Sequence, residues 1–153
     1  MRSIDIHAHL MPQSLWKAVD AGQAWHGFRL ETGLGLGAVV RADKRVGVQT
    51  PKLRFTPEER LKDMDEQGVD VQVVSIHTPL FSYDVDSAQG QQLAREVNDE
   101  IAAMTRQWPQ RFAGLATLPK KSALTDYSYR TSHDHQRRFL ADASHELRTP
   151  LTA

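Results

Sequence analysis

Two constellations in this chain have the residue types and spacing to do chemistry. Near the start, Asp5-Ile6-His7-Ala8-His9 sets two imidazoles two residues apart among β-branched neighbours. On a strand, residues i and i+2 project from one face. His7 and His9 therefore point together and can grip one divalent cation, with Asp5 expected on the same face one step earlier. Toward the end, Leu140, Ala143 and Leu147 fall at i, i+3 and i+7 with Phe139 adjoining, a narrow packing seam of the coiled-coil kind. At about 100° per residue, His145 then lies on the opposite, solvent side of that helix. There its ring can attack as a nucleophile while Glu146 takes the ring proton, and Pro150 kinks the helix by deleting an N–H. His133-Asp134-His135 repeats the two-residue spacing. On a helix, however, those rings diverge by roughly 200° and make no chelate.

The elements that must position these groups are legible in part. Ser3 to His7 reads as a short first strand running into a loop at Met11-Pro12. From Gly22 to Pro51 the periodicity is lost, and a long irregular excursion with a small hairpin is expected. Gly33, Gly35 and Gly37 alternate with leucines there, but they lack the glycine spacing and the following helix of a nucleotide loop. Thr56, Pro57 and Glu59 supply an N-cap, a first-turn proline and a capping-box glutamate, and Gly68 supplies a left-handed stop. Val69 to Ile76 carries four valines and an isoleucine, as a parallel strand buried on both faces should. A helix is predicted from Ser87 to Trp108, with Leu93, Val97, Ile101 and Met104 on one stripe, and a third strand from Phe112 to Leu118. The alternation of strands and helices predicts an α/β fold with parallel strands. After Pro119 the chain turns polar, which predicts a linker over 120–132 and a C-terminal α-helix over 133–153.

The 153 residues carry 19 basic and 19 acidic side chains, so no global field recruits nucleic acid or an anionic membrane. Without cysteine there are no disulfides or thiolate ligands, which suits a cytoplasmic location. No stretch reaches the 18 or so apolar residues of a membrane span.

Asp5 to Pro12, Arg60 to Asp70, Asn98-Asp99-Glu100 and Pro109 to Gly114 together resemble the amidohydrolase superfamily, in the branch of aminocarboxymuconate-semialdehyde decarboxylase and related aromatic-acid decarboxylases. The resemblance covers about residues 3–119. It implies a TIM barrel whose first strand carries His7 and His9 as ligands of a divalent metal such as zinc, acting on a small carboxylic or aromatic acid. His77 would then lie at the barrel end where active sites assemble, and is otherwise a loop histidine. Because such a barrel takes about 250 residues, residues 1–119 are expected to form its first βα units only. A truncated or fused chain without turnover of its own is the corresponding expectation. Gln136 to Ala153 closely resembles the H-box of sensor histidine kinases. That resemblance implies the alternative function: phosphorelay signalling with His145 phosphorylated, Glu146 its proton acceptor, and a homodimer through the C-terminal helix.

Overall fold

The computed structural model describes residues 2–119, apart from Leu34 and Asp43. The predicted C-terminal helix, with His145 and Glu146, lies outside the described residues.

Three parallel strands form the central sheet: β1 (Ile4–Leu10), β5 (Val71–Ile76) and β6 (Phe112–Gly114), in the order β1-β5-β6. The connections carry three helices, α1 (Gln13–Asp20), α2 (Pro57–Gln67) and α3 (Ser87–Gln107). This is the layout of the first βα units of a TIM-barrel-type α/β fold.

The helix with the strongest local signals forms where those signals place it. The Thr56 hydroxyl accepts from the Glu59 amide, the Glu59 carboxylate accepts from the Thr56 amide, and Gly68 closes α2 in the left-handed region at φ 68°. The α3 stripe is buried as its spacing requires. Leu93, Val97, Ile101 and Met104 join Met64 of α2 and the inward residues Ala8, Leu10, Val74, Ile76 and Phe112 of the sheet in one core. Contact between α3 and β6 is close enough that a Cβ added at Gly114 would strike Ile101 Cγ2.

Elsewhere the structure differs from the expectations. The first strand runs on to Leu10, and the third ends at Gly114. The excursion is more ordered than predicted, because β2 (Arg29–Glu31), β3 (Ala38–Arg41) and β4 (Lys44–Gly47) pair as an antiparallel sheet. Helix α1 stands where the sequence suggests a loop. Finally, β5 alternates instead of being buried throughout: Gln72, Val74 and Ile76 are buried, while Val71, Val73 and Ser75 are half-buried. Its second face, shared with β1, is the one that carries the histidines.

Candidate metal centre

His9 lies opposite Ser75 in the β1–β5 register, on the half-exposed face of the sheet. The His7 and His9 rings meet edge to face, their centroids 4.9 Å apart at 85°, and their Nε2 atoms lie 3.1 Å from each other. Two nitrogens bound to one tetrahedral cation at about 2.0–2.1 Å would be roughly 3.4 Å apart. The separation is that of a hydrogen bond between the two rings and is close to that of a chelating pair, an ion taking the place of the shared proton. Ser75 Oγ sits 3.0 Å from His9 Nδ1. If that nitrogen donates to the hydroxyl, the Nε2 lone pair is left facing His7, which is the form a metal ligand needs.

Asp5 lines the same cavity as His7 and His9, although the simple alternation between them is interrupted. The register shifts between Asp5 and Ala8, and one extra residue in β1 puts Asp5 out of step with the histidines. Its carboxylate is already engaged: Oδ1 accepts from the His7 amide at 3.0 Å and Oδ2 from Gln72 Nε2 at 3.0 Å. The carboxylate therefore helps to hold the bulge that presents His7.

Arg60 is a further residue of the site that the sequence motifs did not single out. The residue is 5 % exposed, and its guanidinium donates to Gln72 Oε1 at 3.1 Å, to the His9 carbonyl at 2.8 Å and to the Lys52 carbonyl at 3.0 Å. Burial pushes its pKa down to about 10 against the pull of Asp63 and Asp5, so it stays charged at neutral pH. A continuous hydrogen-bonded path then runs from Arg60 through Gln72 and Asp5 to the His7 amide. The signal in the sequence was one of spacing, since Arg60 and Met64 sit four apart on the inward side of α2.

A cavity of about 330 Å³ adjoins the two histidines, lined among others by Asp5, His7, His9, Lys52, Arg60 and His77. Lys52 is paired with Asp63 at 2.7 Å. His77 is buried, its ring centroid 5.9 Å from that of His9, and burial together with His9 lowers its pKa below 6.5. It is therefore neutral at neutral pH. His26 lies elsewhere, 2.7 Å from Glu96. Among the described residues no three His, Asp or Glu side chains already converge on one point, and no helix is long and apolar enough to cross a membrane.

The comparison that decides the family is the match of the amidohydrolase family model to residues 4–134. The chain belongs to the amidohydrolase family. The family match runs past Pro119 and stops short of Gln136, so the resemblance of 136–153 to the H-box rests on the motif alone. Among curated amidohydrolase relatives, the 2-amino-3-carboxymuconate-6-semialdehyde decarboxylase of Caenorhabditis elegans is 34% identical over 120 residues, covering 77% of this chain and 29% of that protein. Solved structures share the fold. The apo IDCase of Metarhizium anisopliae has a TM-score of 0.63 at 19% identity, over 86% of this chain and 39% of that one. The 5-carboxyvanillate decarboxylase of Novosphingobium aromaticivorans, solved with manganese and a nitrobenzoic acid, has a TM-score of 0.53 at 17% identity, over 77% of this chain and 34% of that one. The chain spans about a third of the length of the relatives it matches.

Proposed function

We propose that this chain supplies the metal-binding opening strand of an amidohydrolase-type decarboxylase acting on a small carboxylic or aromatic acid, with His7 and His9 as ligands of a divalent cation. The observation that carries the reading is the convergence of the two Nε2 atoms at 3.1 Å. The matched relatives add support, since they are named as decarboxylases and one solved neighbour holds manganese. Imidazole suits zinc as well as other transition metals, and we take zinc as the first ion to try.

In this reading His7 and His9 hold the ion, Ser75 fixes the His9 ring, and Arg60 fixes the backbone that carries it. A bound divalent ion supplies Lewis acidity, polarising an oxygen of the substrate. The cavity of about 330 Å³ is at the small end of ligand sites, which suits one ring or a short acid. Two donors make half of a catalytic ligand set, which generally has three protein ligands and an open position.

Calorimetric titration of the full chain with zinc and with manganese tests the reading. Stoichiometric binding that disappears in the His7→Ala, His9→Ala double variant is the expected result. Equal affinity in the two proteins would refute it.

A further inference from the structure

Resting on the reading of His7 and His9 as ligands, we infer that His77 is a third imidazole ligand of the same cation. Ser75 and His77 are two residues apart at the end of β5, and the His77 amide donates to the Leu10 carbonyl at 2.8 Å. Its backbone is thereby tied to the end of the strand that carries His9. The His9 and His77 ring centroids are 5.9 Å apart with the planes at 65°. Imidazoles that share a tetrahedral cation have centroids roughly 5 Å apart, and the His7–His9 pair already stands at 4.9 Å. His77 is thus within about an ångström of the separation that ligation requires.

The second observation is independent of that spacing. His77 is only 7 % exposed, yet neither Nδ1 nor Nε2 has a hydrogen-bond partner among the described residues. Buried polar atoms are nearly always satisfied, and an exception calls for a ligand or another specific cause. His9 uses Ser75 and His26 uses Glu96, whereas His77 is left with two unused nitrogens beside the cavity that His7 and His9 also line. Ligation requires the His77 ring to turn within that cavity, since the three rings do not yet meet at one point. Three imidazoles with a fourth position open to substrate make the donor set of a catalytic zinc site.

Nitrogen-edited NMR of the histidine rings in the full chain, recorded with increasing zinc, reads each ligand separately. One nitrogen of His7, His9 and His77 should shift together as one equivalent is added. Shifts at His7 and His9 with His77 unmoved would overturn this inference and leave the proposed function standing; no shift at any of them would overturn both. As a second measurement, zinc affinity by calorimetry should fall at least tenfold in His77→Gln with an unchanged far-UV spectrum. Affinity equal to that of the parent chain would overturn the assignment. Should that variant not fold, the NMR result on the parent chain decides.

Discussion

Ser75 touches His9 at Nδ1, 3.0 Å away, while its other nitrogen meets His7 Nε2 at 3.1 Å. Outer hydrogen-bond partners of metal-bound histidines typically contribute 10–100-fold in metal affinity. Ser75→Ala is therefore expected to weaken zinc binding by roughly tenfold without changing the stoichiometry, as measured by calorimetry. Acid sensitivity has a different source at this scale. Burial raises the Glu96 carboxyl, but hydrogen bonds from the Trp25 indole and from His26 outweigh it, and its pKa lies below the ordinary 4.5. A carboxyl with a lower pKa folded than unfolded stabilises the fold above the unfolded value, and that contribution is lost as pH falls through the folded one. In a series of thermal melts from pH 7 to pH 3, Glu96→Gln should flatten the decline below about pH 4.5. An unchanged acid limb would remove Glu96 from the account. Of the residues around the candidate centre, His7 and His9 were legible because both belong to one short strand. Ser75, Gln72 and Arg60 were not, because their roles depend on a register between segments more than 50 positions apart in the chain.

At the scale of elements, the packing of α3 on β6 makes a sharper constraint than the end of α2. A Cβ at Gly114 has to displace Ile101 in the core, and overpacking of this kind costs about 1–3 kcal/mol. At Gly68 the space is open and only the positive φ is strained, which costs nearer 1 kcal/mol. Urea unfolding should accordingly rank Gly114→Ala below Gly68→Ala in stability, and the reverse order would contradict the close approach of α3. The same contrast explains which elements could be read from sequence. Helix α2 carries its own cap, its own first-turn proline and its own stop within thirteen residues, Thr56 to Gly68. Helix α1 has no side-chain cap of its own. Its first amides, those of Gln13 and Ser14, donate instead to the Glu100 carboxylate of α3 at 2.6 and 3.2 Å. Nothing local announces that partner, so the sequence suggests a loop where the helix stands. The antiparallel sheet of the excursion was obscured likewise, since its strands are only three or four residues long. The β1 bulge, which shifts the register between Asp5 and Ala8, left no mark in the alternation at all.

Across the molecule, the described residues build one continuous core under the sheet and leave its other face less covered. The layering follows from β5, whose inward residues Val74 and Ile76 are buried while Val73 and Ser75 stay half-exposed. Along β1, which has one sheet neighbour among the described residues, Ile6 is 77 % exposed. Family membership and the α/β layout together make this the segment that presents His7 and His9. The claim on which the rest depends is that these two rings hold one cation together. X-ray absorption of the zinc-loaded full chain addresses it most directly, because imidazole carbons scatter differently from water. The expected spectrum has at least two imidazole nitrogens at about 2.0–2.1 Å from zinc, and that scattering disappears in the His7→Ala, His9→Ala variant. A shell of oxygen alone, or a spectrum unchanged by the double substitution, would contradict the account.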